Sequence, residues 1–476
     1  MSNPGYWQLL RLTASPIVVA LTALLVLVLD LGLFRRAPLA RRFRACVTTA
    51  CIGSVVALAV LAFSPATGSL PAGMLVVTPL TQQVQIALLL LAILVLLLVS
   101  SARFTTHVGE YCALHLFATT AMMLLVSTQN LLVLFITIEF LSLSLYILTA
   151  FDKQSRSSAE AGLKYFLYGG MSAGMLLFGI SLLYGLSGSL ALTDIAAAVS
   201  KAPGDPLLAL AIVMLLAGFG FKIAAAPFHM WAPEVYQGAP TSSAALIASS
   251  SKVASFFALF IVFSVGLPGA GWGSIIALLA AGSMLWGNLA AIAQTSVRRL
   301  LAYSAIGHAG YMLIALAVHS QQSLVALVYY VITYALATVG AFAVLSALEG
   351  VDTVADFAGL GKRAPGVAFC LLIFLLSLAG IPPLAGFFGK FYVFVSALRQ
   401  PGLLWLVLLS LAMSVVSFYY YLKILKQAYV SEPAVDAPAI DVPMGTRLAL
   451  WTTAVLVILL GCLPDLLLDR ISNTLH

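Results

Sequence analysis

Four lysines and one glutamate stand inside stretches that are otherwise apolar, and all five are side chains that can take up and release a proton. Glu139 lies in NLLVLFITIEFLSLSLYIL, Lys164 in AEAGLKYFLYGG and Lys252 in LIASSSKVASFFALF. Lys222 lies in the run PLLALAIVMLLAGFGFKIAAAPFHMWAPEVYQGAP at 206–240, and Lys390 in LSLAGIPPLAGFFGKFYVF. An ionisable residue at the centre of a membrane helix costs about 2.5 to 3.5 kcal/mol even on the most lenient insertion scale. Four lysines therefore cost about 10 kcal/mol or more, comparable with the whole stability of many domains. Glu139 follows Asn130 by nine residues; at a 1.5 Å rise this is about 13 to 14 Å into a core of about 30 Å, close to the midplane.

Two of the lysines stand beside a break. Proline has no amide hydrogen, so Pro227 deprives the Ile223 carbonyl of its helical partner, and Pro382 and Pro383 free those of Leu378 and Ala379. Gly380, Gly386 and Gly389 let the second segment turn or approach its neighbours. Within a bilayer the freed carbonyls need protein or water, which predicts a wet polar pocket at mid-depth. The serines before Lys252 (Ser249, Ser250, Ser251) can hold water.

Plainer structural readings compete at each position. Lys222 and Lys390 could do no more than satisfy the freed carbonyls, and Glu139 could be a fixed structural partner of a lysine. Lys164, nearer the end of its helix, could extend to the interface. His229 in APFHMW and His308 in YSAIGHAGYML are proton carriers or buried imidazoles satisfied by a carbonyl. Glu110 opens the helix that also carries His115, where a carboxylate suits the helix dipole. Asp30, beside Arg35 and Arg36, reads as a surface ion pair. The Phe and Tyr residues around Lys390 read as packing.

Composition narrows the class. Apolar residues make up 62% of the 476 positions and charged residues 8%, against about 45 to 50% and 25% in soluble domains. This is an all-α polytopic membrane protein with no soluble domain large enough for a core of its own. The formal charge of +7 is topology information, not a sign of nucleic-acid binding. Cys46, Cys51, Cys112, Cys370 and Cys462 are scattered with no CxxC pair and no clustered histidines, so no metal, haem or iron-sulfur ligation is expected. The N-terminal residues lack a cleavable leader pattern, and the first apolar run is read as a retained span.

Hydropathy predicts fourteen spans, near 17–34, 45–63, 83–101, 109–127, 130–151, 159–186, 206–236, 240–264, 272–293, 296–318, 321–348, 364–398, 402–427 and 446–468. With this count Arg35, Arg36, Arg41, Arg42, Arg44, Arg103, Lys153, Arg156, Arg298, Arg299, Lys362, Arg363, Lys423, Lys426 and Arg447 share one side. Only Arg11, Lys201, Arg399 and Arg470 fall on the other. The positive-inside rule then puts both termini on the periplasmic side. The broken seventh and twelfth spans have opposite orientations, as in inverted repeats whose ion sites lie at discontinuous helices. The pattern makes 1–476 one membrane domain holding two inverted five-helix repeats, 109–264 and 272–427.

The strings IEFLSLSLYIL, LKYFLYGG, FKIAAAPFHMWAPEVYQGAPT, SSKVASFF, IGHAGYML and LAGIPPLAGFFGKFYVF resemble the antiporter-like membrane subunits of respiratory complex I, the NADH-quinone oxidoreductase. The likeness runs from about 75 to 430, and VYQGAPT favours the N-type branch over the L and M types and over Mrp-type antiporters. It implies a proton-translocating subunit in which Glu139 and Lys222 form the pair on the fifth and seventh helices. Lys252 is then the connecting residue on the eighth, Lys390 the lysine of the broken twelfth and Lys164 that of the sixth, while His229 and Glu110 match further polar positions. It also implies that NADH, FMN, iron-sulfur clusters and quinone belong to partner subunits, that K-type and M-type subunits and the lateral helix of an L-type subunit are neighbours, and that the chain lies in a bacterial inner membrane.

The physics fits that role. At about 4 Å and an effective dielectric near 20, a carboxylate and an ammonium attract by about 4 kcal/mol, and doubling the distance halves this. A change of about 2 kcal/mol is about 1.5 pKa units, enough to switch a lysine between holding and releasing its proton. A Mrp-type cation/proton antiporter subunit, or a passive connector whose charges hold neighbouring subunits, are the alternatives. Single cysteines placed at either terminus are expected to react only with reagent added from the periplasmic side; labelling from the cytoplasm would overturn the span count.

Overall fold

A chain with this little polar surface can satisfy its backbone in hydrocarbon only as helices, and helices are what it forms. A computed structural model describes residues 4–100, 102, 104–269, 271–348, 350–433 and 440–474. Arg103, assigned above to the basic side, lies outside the described residues. Among those described, 13 helices are long and apolar enough to cross a membrane. One further crossing, the twelfth in order, is built from two shorter pieces, Pro365–Ala379 and Ala385–Leu398. The predicted series of fourteen is recovered in order. A two-residue antiparallel pair, Gly68–Ser69 with Val76–Val77, closes the loop after the second span.

The spans are not equivalent. In the eighth (Thr241–Gly266) and eleventh (Gln321–Ala347), 94% of the apolar window is buried, and in the tenth (Val297–Val318) 89%; in the first (Ala14–Leu33) and second (Leu39–Phe63) the shares are 33% and 28%. A helix that is apolar all round and surrounded by protein is a bundle centre, whereas one with exposed Leu, Ile and Val on half its face is a perimeter facing lipid. The central helices include those that carry Lys252 (eighth) and His308 (tenth), so these two residues are enclosed by protein.

Both proline-marked segments are broken. The seventh span runs from Pro206 to Ile223, turns through Ala224, which adopts left-handed φ of 57°, and resumes as Trp231–Gly238. The ends are satisfied within the fold: Ala225 N donates to Gly220 O, Ala226 N to Ser283 Oγ of the ninth span (Gly273–Ile292), and Trp231 Nε1 to Phe221 O at 2.9 Å. The twelfth ends on Gly380 at φ 89°, a conformation that suits glycine. Gly386 N then donates to Ser377 Oγ. Each break contains a cis peptide, Ala226–Pro227 and Pro382–Pro383. The eighth span carries an unexpected interruption: helix Thr241–Ala248 stops at Ser249, at φ −115° and ψ −84°, before Ser250–Ile261 begins.

Asp30 corrects the sequence reading. It is fully buried, not a surface group, and pairs with Arg42, not with Arg35 or Arg36. Arg42 Nε and Nη2 donate to its two oxygens at 2.7 Å each, and Gly109 N donates at 2.9 Å. A π-helical turn over Leu29–Leu33 brings the carboxylate back under the second span and onto the start of the fourth. The planar fork of arginine matches a carboxylate in this bidentate way, and the pair ties the first, second and fourth spans together.

The ninth and tenth spans approach most closely through small residues. A methyl group built on Gly287 would run into the backbone of Gly307, whereas one built on Gly282 meets nothing. Membrane helices lacking a hydrophobic drive associate through such close backbone contact. Gly287→Leu is expected to lower stability by about 1 to 3 kcal/mol, read as a drop in the thermal midpoint of the purified assembly, with Gly282→Leu unchanged. Equal midpoints for both variants would refute the packing argument.

Candidate functional site

Three of the four lysines are buried in the bundle: Lys222 is 7% exposed, Lys252 1% and Lys390 4%. Each ammonium donates to a neutral oxygen. Lys222 Nζ donates to Ser142 Oγ of the fifth span (Leu131–Thr149) at 2.6 Å, and that hydroxyl donates to Ile138 O. Lys252 Nζ donates to Ala305 O of the tenth span at 2.8 Å and stands 5.7 Å from the Tyr334 ring centroid. Lys390 Nζ donates at 3.0 Å to the carbonyl of Ala379, which the proline pair had released, and lies 4.9 Å from the Tyr311 ring centroid. The plain structural reading thus holds in part: Lys390 does satisfy a freed carbonyl, but Lys222 reaches across to another helix.

Glu139 is half-buried, on the outer side of the fifth span between the exposed Ile136 and Leu143. Its charge and that of Lys222 act on each other, and Ser142, one turn along from Glu139, bonds the ammonium. The carboxylate is therefore beside Lys222 without a direct ion pair to it. An attraction that falls off with distance is what a change of spacing can tune.

His308 turns out to be central. It is buried one turn after Ala305, the acceptor of Lys252, and both Lys252 and Lys390 act on it electrostatically. Its Nδ1 shares a 2.7 Å hydrogen bond with Tyr330 Oη, and its Nε2 faces Tyr421 Oη at 3.4 Å. Tyr421 Oη in turn bonds Ser304 Oγ. Beside this cluster Asn288 Nδ2 donates to Tyr311 Oη at 3.2 Å, and Tyr420 Oη donates to Asn288 Oδ1 at 3.1 Å. An imidazole between two hydroxyls, flanked by two lysines, can receive a proton at one nitrogen and pass one on from the other.

Other expected residues lie apart from this line. Lys164, unlike the three buried lysines, is half-exposed in the sixth span (Arg156–Ser187), where it pairs with Glu160 at 2.7 Å and Glu234 at 3.1 Å. Its ammonium faces the piece Trp231–Gly238 through Glu234. Glu110 sits in the first turn of the fourth span (Val108–Leu125) and pairs with His107 at 3.3 Å, apart from the buried lysines. His229 is buried in the seventh-span break, its ring 5.7 Å from that of Trp286.

Sequence reading passed over Ser142, Asn288, Glu234 and the tyrosines. Ser142 was visible as a hydroxyl three residues after Glu139, and Asn288 as a lone amide in an apolar run. Tyr330 and Tyr334 occur at i, i+4 in VYYVITY and so share one helix face. Also unread was Tyr111, whose hydroxyl bonds Ser242 Oγ and Ser243 Oγ at 2.8 and 2.7 Å. This hydroxyl group adjoins a cavity of about 200 Å³ lined by Thr241, Ser242, Arg298 and Asp441.

A family model described as NADH:quinone oxidoreductase/Mrp antiporter, transmembrane, matches residues 128–417. Over 98% of its length the chain is 55% identical to NADH-quinone oxidoreductase subunit N 2 of Acidobacterium capsulatum, covering 99% of that protein. It superposes on a chain of respiratory complex I from Thermus thermophilus with a TM-score of 0.81 at 37% identity, covering 96% of this chain and 98% of that one. A chain of the Mrp complex from a Dietzia species gives a TM-score of 0.85 at 20% identity, over 97% and 96% of the two chains, a likeness of fold alone. With more than half its length matched and a relative of this identity aligned nearly end to end, the chain belongs to the NADH:quinone oxidoreductase/Mrp antiporter family, in its NADH-quinone oxidoreductase subunit N branch.

Proposed function

We propose that the chain is the proton-translocating N-type membrane subunit of a bacterial NADH-quinone oxidoreductase, driven by electron transfer in partner subunits. The observation that carries this reading is the buried series Lys222, Lys252, His308 and Lys390, each member on a different span, with each lysine held by a neutral acceptor and His308 set between two tyrosine hydroxyls. Lys222 is the switch and Glu139 its modulator, Lys252 the bridge and Lys390 the exchange point toward the periplasm, with His308 joining the last two. A proton leaves Lys222 when Glu139 moves away and is held when it returns.

The likeness to the family supports the rest of the reading. Residues 109–264 and 272–427 are the two inverted repeats, each contributing one helix broken at proline. The chain lies in the inner membrane with both termini periplasmic. NADH, FMN, iron-sulfur clusters and quinone sit in other subunits. The half-buried Glu139 faces outward, and a K-type neighbour covers it; an M-type subunit and the lateral helix of an L-type subunit complete the surroundings.

Proton pumping in inside-out vesicles, driven by NADH and scaled to the amount of assembled complex, tests this directly. Glu139→Gln and Lys222→Ala are expected to lower it by tenfold or more while assembly stays intact; undiminished pumping would remove the basis of the proposal. His308→Phe keeps the ring and loses both nitrogens. It is expected to slow pumping severalfold in the same assay, and an unaltered rate would exclude the imidazole from the path.

A further inference from the structure

The second piece of the broken seventh span carries a carboxylate shared between two cations from two other helices. Glu234 lies in the first turn of Trp231–Gly238. Its Oε2 accepts from Lys164 Nζ of the sixth span at 3.1 Å and its Oε1 from Arg299 Nη1 of the tenth at 3.0 Å. Around it Arg299 Nη1 also donates to Gln237 Oε1 at 3.3 Å, and Gln237 Nε2 donates to Asp352 Oδ2 at 3.1 Å. A helix of eight residues has too few internal hydrogen bonds to hold itself, so the packing of its buried Trp231, Val235 and Tyr236 and these polar anchors decide where it sits.

Those anchors lead to the buried lysines. Tyr165, next to Lys164, stacks on Trp231 with centroids 4.5 Å apart, and Trp231 Nε1 holds the carbonyl of Phe221, the residue before Lys222. Arg299 begins the tenth span, whose Ala305 carbonyl receives Lys252. One carboxylate thus connects the backbone at Lys222 with the helix that holds the Lys252 ammonium.

We propose that Glu234 is a positioning residue, clamped between Lys164 and Arg299, that fixes the half-helix Trp231–Gly238 and thereby the register between Lys222 and Lys252. Lys164 acts in this clamp as a permanent charge and carries no proton along the path. The proposal relies on the proton-pumping reading for its assay, but not on which buried lysine carries the proton.

Arginine does not release its proton in proteins, which separates a clamp from a carrier. In assembled complex, Lys164→Arg is expected to pump at the native rate with an unchanged pH profile, while Lys164→Met and Glu234→Gln each lose severalfold. The double variant Lys164→Met with Glu234→Gln is expected to be no worse than the poorer single one, because both remove the same contact. Lys164→Arg as slow as Lys164→Met, an unaffected Glu234→Gln, or losses that multiply in the double variant would each overturn the clamp. Lys222→Arg run alongside distinguishes the two ideas: its continued pumping would sink the carrier role of Lys222 and leave the clamp standing.

Discussion

An ammonium group in hydrocarbon must have an acceptor, and this requirement organises the molecule. Lys222, Lys252 and Lys390 each meet it with one neutral oxygen: a serine hydroxyl, a helix carbonyl and a carbonyl released by a helix break. A carboxylate in direct contact would bind the charge more strongly and hold the proton in place. Neutral acceptors leave the charge solvated enough to exist and free enough to be removed. The same logic explains the contrast with Asp30 and Arg42, whose bidentate contact is built to last.

The breaks supply both the acceptors and the shape. At the twelfth span the prolines release the carbonyl of Ala379, and Lys390, from the second half of that span, reaches back to it. At the seventh the chain itself closes most of the gap through Ala225, Ala226 and Trp231, so Lys222 is left to reach Ser142 on the fifth. Similar sequence devices therefore give different local solutions. The most enclosed helices, the eighth, tenth and eleventh, lie along the chain between the two breaks and carry Lys252 and His308.

Likeness of fold and likeness of sequence carry different weight here. The Mrp chain superposes as well as the complex I chain but shares only 20% of its residues, against 37%. A bundle of this architecture fits more than one transport chemistry. The near end-to-end identity of 55% places the chain in the subunit N branch, and it is the side chains in the bundle centre that give that placement a physical content.

The sequence alone determined the helical class, the number and order of the spans, the two breaks and the burial of Lys222, Lys252 and Lys390. All of these follow from local rules: apolar length, proline chemistry and the cost of a charge in lipid, which neighbours along the chain already specify. Which acceptor each lysine finds, that Lys164 lies outside the line and that His308 lies within it were decided only by tertiary structure. So were the burial of Asp30 and the interruption at Ser249. Each depends on the rotation of one helix against another, and a turn of about 100° per residue moves a side chain from lipid to the bundle centre without any change that hydropathy can register.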